Sequence, residues 1–419
     1  SITGNGDNVL IGMDAGCNLT SANNLLIGYK AGESAVENTE NVMLGNQSGQ
    51  NSRGSNKSVF IGKGSGLNNQ GDNNTFIGYE AGNGDTGISN STGTDNVAIG
   101  AFVGRSLGSG SRNILLGSGD GDSDSAGASL VSGNDNIVFG YKAGKTMNAD
   151  KNIILGTESG SALVGGSGNV LMGYKSGFTE TTGNYNILLG YEAGIAQVGQ
   201  SNNIYMGYKA GHDNTSGDGN IGIGTETSYK NSSGNNNTNI GYHSGYNSTG
   251  SNNINFGYEA GVSSTTGETN MFLGYQSAGK DRGSGTKLTG NFNVGIGQRT
   301  AYSLTEGNRN VFVGNGAGYY STTGNKNIFM GNLTGFNNTE GSRNVFIGSA
   351  DSDNSSGVGF NNTKGDFNVF MGSNVGVNNT EGNENIMIGS AAGNNNTTGD
   401  DNIYIGTRSG ENGTIAKII

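Results

Sequence analysis

Residues Asn186–Asn202 read NILLGYEAGIAQVGQSN, and the rest of the chain is this stretch repeated with substitutions. Its head is Asn, three apolar residues and Gly: Asn186-Ile187-Leu188-Leu189-Gly190. The head occurs 23 times between Asn8 and Asn402, with Ser58 replacing Asn once. Most heads follow one another after 16 or 17 residues; the longer steps are 22 after Asn74, 23 after Asn113, 23 after Asn270 and 24 after Asn344. A short fixed period, in which each unit buries its apolar side chains only against its neighbours, is the mark of a solenoid. The expected fold is all-β, a parallel β-solenoid (β-roll) of about 23 coils, continuous over residues 1–412. Insertion loops fall near 83–90, 118–132, 279–288 and 350–356, and residues 413–419 leave the pattern as the start of a following segment.

Composition agrees with coils of short strands and tight turns. The chain of 419 residues has 81 Gly and no Pro. Gly supplies turns with positive φ, whereas Pro would remove a ladder hydrogen bond wherever it fell. The apolar residues stand in fixed columns, which a disordered chain has no reason to maintain. A net charge of −11 without a basic run excludes nucleic acid and anionic membrane surfaces as partners. No run of 18 apolar residues exists, so this segment does not insert in a membrane as a helix. The single cysteine, Cys17, rules out a disulfide framework and reads as an ordinary turn residue. Ser1 opens within the pattern without a signal peptide, as in a fragment or a processed product.

Let the three residues after the head Asn be columns one, two and three. Column three is apolar in all 23 copies and column one in all but Thr75 and Thr238. Period-two geometry puts these columns on one side of a strand, and that side is expected to be the coil interior. The head Gly is followed by a variable position, often Tyr, then a charged position, a small residue and a second Gly, as in Tyr191-Glu192-Ala193-Gly194. A polar second turn of the Thr-Thr-Gly type closes the coil, as at Thr181–Gly183, Thr265–Gly267 and Thr397–Gly399. The head asparagines are expected to form a ladder, each amide bonding to neighbouring coils. The charged position gives an independent sign of stacking. Eight consecutive coils read Lys142, Glu158, Lys175, Glu192, Lys209, Glu226, His243 and Glu259, so charges about 4.8 Å apart alternate in sign.

Column two, facing outward in this reading, is apolar in 19 of 23 copies. It includes Leu10, Leu26, Phe60, Phe76, Leu171, Leu188, Phe312, Phe329, Phe346 and Phe370, and is broken only at Gly222, Asn239, Asn255 and Gly295. An apolar stripe along a rod of roughly 110 Å exceeds the ~300–600 Å² patch that monomers leave exposed. These residues are therefore expected to form the interface of a homo-oligomer.

The chain offers little reactive chemistry. Asp120, Asp122 and Asp124 begin like a calcium loop, but Val131 stands where an EF-hand needs Glu, so they are weak metal candidates and no other cofactor is expected. Asp351 and Asp353 form a second short acidic loop. Gly274–Lys280 approaches a phosphate-binding loop until Asp281, where Ser or Thr is required, and Gly140–Thr146 is one residue too short. The histidines His212 and His243 lie in nonadjacent coils, and no Ser/His/Asp grouping stands outside the repeat, so no enzyme is expected. Asn-x-Ser/Thr triplets, among them Asn18, Asn90, Asn214, Asn247, Asn337, Asn378 and Asn396, arise readily from Asn- and Thr-rich turns.

The head motif, as in Asn96-Val97-Ala98-Ile99-Gly100, resembles the repeat of the head domains of YadA-like trimeric autotransporter adhesins. Similar repeats occur in bacterial surface fibres and phage tail fibres. The resemblance implies a left-handed parallel β-roll, a parallel homotrimer, an extracellular place on a cell surface or virion, and attachment to a surface receptor or glycan. The period here is longer than in the typical head, and no heptad stalk or anchor is present in these residues. The expected function is the structural and adhesive rod of such a fibre, presenting its loops. The alternatives are an ice- or crystal-binding solenoid using the Thr-rich second turns, and the shaft of a phage tail fibre recognising surface glycans.

Overall fold

A computed structural model describes residues 6–84, 91–121, 124–279, 287–350 and 356–410. Most of the expected loops near 83–90, 279–288 and 350–356, residues 122 and 123 of the loop at 118–132, and the segment 413–419 lie outside the described residues. The chain forms two compact units, Ser1–Lys209 and Ala210–Ile419. The described residues are all-β, and every repeat head is a strand. The first unit runs from β1 (Val9–Ile11) to β12 (Ile204–Met206), and the second from β13 (Ile221–Ile223) to β23 (Ile403–Ile405).

Within each unit successive strands pair in parallel, column on column. Val170, Leu171 and Met172 stand opposite Ile187, Leu188 and Leu189 in the first unit. In the second, Ile328, Phe329 and Met330 stand opposite Val345, Phe346 and Ile347. The structure is thus a β-solenoid with one strand per repeat, and the unequal steps of 22–24 residues do not disturb the register: Thr75 pairs with Val97 and Ile114 with Ile137.

The head asparagines hold the corners together. The Asn186 N–H donates to Asn169 Oδ1 at 2.9 Å, while Asn169 Nδ2 donates to the Gly183 carbonyl at 2.9 Å. Each head amide thus grips the next coil just before its own head. The residue between these two grips, Tyr185, has φ 57°, and Lys326 at the same place in the second unit has φ 58°. A left-handed conformation costs a residue with a side chain about 1–2 kcal/mol, and the two bonds from outside the corner hold it there. At the head Gly the reason is space: a Cβ on Gly190 would lie 2.3 Å from the Gly207 carbonyl oxygen of the next coil.

The interior is the reverse of the expected one. Column two faces inward. Leu26, Phe60, Phe76, Leu171, Leu188, Phe312, Phe329, Phe346 and Phe370 are all fully buried within the single chain, and Leu10 is half-buried. Columns one and three point outward, with Ile153 37% and Phe256 55% exposed. Alternation fixes that the columns lie on opposite sides, but the opposing turn decides which side is inside. That turn contributes the buried small residue and the second Gly, leaving room for one large side chain per coil. A Cβ on Gly335 would lie 2.4 Å from the Phe329 ring, and one on Gly82 would lie 2.3 Å from the Phe76 ring. Two large columns would overfill so thin a coil. The stacked rings of Phe312, Phe329, Phe346 and Phe370 have centroids 5.2, 4.9 and 4.7 Å apart.

A third wall, three residues beyond the second Gly, closes the interior. It is Leu107, Leu130, Met147 and Leu163 in the middle of the first unit, and Asn338, Asn362 and Asn379 in the second. Those asparagines form an inner ladder: Asn362 Nδ2 donates to Asn338 Oδ1 at 2.7 Å, and Asn379 Nδ2 to Asn362 Oδ1 at 2.8 Å.

Candidate functional site

Since column two is core, the residues expected at an oligomer interface cannot form one. The apolar surface lies instead on the outer face of the sheet, in columns one and three. It includes Ile114, Ile137, Phe139 and Met172 in the first unit, and Ile254, Phe256, Ile328 and Met330 in the second. A three-residue strand by twelve coils gives a footprint of roughly 500 Å² on the first unit, at the upper end of what monomers leave exposed. No charged residue interrupts either column.

The charged column lies on a second face and behaves as its sequence foretold. Lys175 Nζ is 3.4 Å from Glu158, and Lys209 Nζ is 3.3 Å from Glu192. In the second unit His243 stands between Glu226 at 2.9 Å and Glu259 at 3.9 Å. Beside this column, tyrosines stack: Tyr174, Tyr191 and Tyr208 have ring centroids 5.2 and 5.3 Å apart. Tyr174 first, and Glu158 with it, hold the Lys175 ammonium above its ordinary pKa. Lys175, Lys209 and His243 thus each meet a carboxylate of an adjacent coil, and the column serves stacking.

A third surface lies on the second unit. Its second turns include Phe336-Asn337-Asn338-Thr339, Phe360-Asn361-Asn362-Thr363 and Val377-Asn378-Asn379-Thr380. The third residue of each points inward, while the second and fourth line an outward groove of about 730 Å³. The groove extends over the coils from Thr322 to Thr397. Each threonine hydroxyl donates to the threonine carbonyl of the next coil: Thr322 to Thr339 at 2.9 Å, Thr339 to Thr363 at 3.1 Å, Thr363 to Thr380 and Thr380 to Thr397 at 3.0 Å. The hydroxyls are thus turned along the ladder, and the γ-methyl groups form the wall. On the other wall Asn337 Nδ2 donates to Asn361 Oδ1 at 3.1 Å and Asn378 Nδ2 to the Asn394 carbonyl at 2.9 Å. The groove could have been found in the sequence as a run of Asn-x-Thr turns, since alternate positions of an extended turn share a side.

The remaining candidates resolve into local contacts. Asp124 accepts from Lys145 at 2.6 Å and pairs with Lys142 at 3.3 Å, and Lys145 and then Lys142 hold its carboxyl below the usual carboxylate range. Asp120 accepts from the Tyr141 hydroxyl at 2.7 Å. Asp122, Asp351 and Asp353 lie outside the described residues, as do Lys280, Asp281 and Asn90. Among the described residues, no group of three or more His, Cys, Asp or Glu side chains is placed to hold a metal. Thr146, which ends the shorter phosphate-loop lookalike, donates to the Ser161 carbonyl as part of coil stacking. Asn214 is buried and Asn396 donates into the inner ladder at 2.9 Å, whereas Asn337 and Asn378 line the groove. No protein-family model and no curated protein matches the sequence.

Proposed function

We propose that this chain is a non-enzymatic structural and adhesive segment of an extracellular fibre, on a cell surface or a virion, assembled as a parallel homo-oligomer through the outer face of its sheet. The observation that carries this reading is the pair of columns one and three, uncharged throughout and apolar but for Thr75 and Thr238, left outward in the single chain. Burying such side chains contributes about 25 cal/mol per Å² of apolar surface, so a second copy is a natural cover for a surface that repeats in every coil. Copies aligned in parallel would bring equivalent coils together along each unit. Three chains is the number that the resemblance to YadA-like heads suggests.

The test is the mass of the full chain in solution, by light scattering or sedimentation at micromolar concentration. A trimer is expected. Ile254→Lys combined with Phe256→Lys should give a folded monomer, because both side chains are on the surface of the single chain. A wild-type monomer at that concentration overturns the reading. So does an oligomer that the double substitution leaves intact.

A further inference from the structure

We propose that the threonine–asparagine groove of the second unit binds an extended, uncharged polysaccharide. Its shape is the first reason. The groove follows the stacking direction over five coils, about 19 Å at the ordinary strand spacing, which is the span of a polymer segment and not of a small metabolite. Its chemistry is the second. Every lining side chain is Ser, Thr, Asn or Tyr, so nothing in it would compensate a charged ligand. One wall is a ladder of threonines whose hydroxyls are already engaged along the ladder, and the other is a row of asparagine side chains, Asn337, Asn361, Asn378 and Asn395. A sugar ring presents the same pair of surfaces, an apolar face of C–H groups and a rim of hydroxyls that donate and accept.

Period is the third reason. The walls repeat once per coil, and an extended chain of β-linked sugars repeats on a comparable length, so one sugar per coil can make equivalent contacts along the groove. Tyr320, 46% exposed at one end of the lining, offers a ring on which a terminal sugar can stack. The same threonine ladder suggests an ice face, but ice requires a flat array. Here the threonines form one wall of an open groove opposite asparagines, and Glu340, Lys364 and Glu381 follow them immediately along the chain. This inference rests on a different face from the oligomer interface, so either can fail alone.

The test is titration of the full chain with cellohexaose, xylohexaose and mannohexaose, each against its disaccharide, with polygalacturonate as the charged polymer. Saturable binding of a neutral hexaose is expected, at least about ten-fold tighter than the disaccharide, because several coils contribute. Thr363→Arg, which fills the groove and charges it, should weaken binding at least about ten-fold. Asn361→Leu, which removes one amide from the wall, should weaken it by a smaller factor; its unchanged melting curve would show that the loss is local. Glu381→Gln, outside the lining, should leave affinity within about two-fold. No binding of any neutral hexaose overturns the proposal, as does binding that Thr363→Arg and Asn361→Leu both leave unchanged, or equal affinity for disaccharide and hexaose. Preference for polygalacturonate or thermal hysteresis without hexaose binding also overturns it.

Discussion

The two units carry the same head and the same register, yet the middle of the first and the later part of the second fill their interiors differently. In the middle of the first unit column two is Ala98, Leu115, Val138 and Ile154, and the third wall supplies Leu107, Leu130, Met147 and Leu163. In the second unit column two is a stack of phenylalanines from Phe312 to Phe370, and the third wall is Ser321, Asn338, Asn362 and Asn379. Aliphatic side chains of middling size mostly share the coil in the first stretch, and a large ring faces a smaller polar side chain in the second. The repeat therefore preserves the volume of a coil and not the identity of any wall. It can also exchange an aliphatic wall for a polar one, provided that the polar side chains are in register and satisfy one another.

The largest expected effects test the core that both units share. Phe346→Ala should cost about 3–5 kcal/mol and Leu171→Ala about 2–5 kcal/mol, the spread reflecting how far each coil collapses into the vacancy. Chemical denaturation of the full chain measures both. A loss below about 1 kcal/mol at either position would contradict the inward placement of column two in that unit. Exchanging the third walls comes next. Asn362→Leu leaves the Asn338 acceptor and the Asn379 donor without their ladder partner, and Leu163→Asn puts an unpartnered amide among aliphatic side chains. Each should cost about 2–4 kcal/mol, and either proving neutral would show that the two walls are interchangeable.

Much of this was legible in the chain itself. Asn186 and its copies give the period, the pairing register and the outer amide ladder, because a residue recurring every coil must meet itself. Lys175, Glu192 and Lys209 announce their ion pairs by alternating in sign. The face assignment could not be read from periodicity, which is symmetric between the two sides of a strand. A different signal was present. The second Gly of the coil is replaced only at Ser228, Ala278 and Ala301. Ser228 and Ala301 share their coils with Gly222 and Gly295, and Ala278 lies one coil before Gly295. Bulk is added to the turn where column two has lost it, which is meaningful only if the two meet inside. The groove was harder to see, since Asn-x-Thr turns look like composition until alternate positions are known to face out.

That exchange between column two and the turn yields a third, smaller effect. Gly335→Ala sets a Cβ against the Phe329 ring and should cost about 1–3 kcal/mol. Combining it with Phe329→Gly reproduces the natural arrangement of Gly295 with Ala301. If the turn and column two share one space, the double variant will be more stable than the sum of the single losses predicts, and strict additivity would deny the coupling.

The charged column separates the units again. In the first it alternates through Glu158, Lys175, Glu192 and Lys209, whereas the equivalent positions late in the second are Gly316, Leu333, Asn374 and Ala391. Glu192→Lys puts three like charges in succession and should lower the melting temperature by about 1–3 °C at low salt, less as salt screens it. Asn374→Lys, with no charged neighbour in its column, should change it by less than about 1 °C. Equal effects at the two positions would mean that the alternation is not used for stacking.

The smallest effect concerns carboxylates that the first unit holds below their usual range: Glu33 beside Gln50 and Lys30, Asp124 beside Lys145 and Lys142, and Asp135 beside Arg112. A carboxyl whose pKa is lower folded than unfolded contributes stability at pH values above its unfolded value, and that contribution is lost as pH falls through the folded value. All three are on the surface, so each contribution is modest. Asp124→Asn should therefore lower the melting temperature by about 1 °C at neutral pH, and the gap should close on acidification, at a pH below the usual carboxylate range, as Asp124 in the wild type takes up a proton. The sign follows from Lys142 and Lys145, which gain a partner only while Asp124 is ionised. A gap that widens on acidification would mean that Asp124 stabilises the fold in its protonated form, contrary to its place between two ammonium groups.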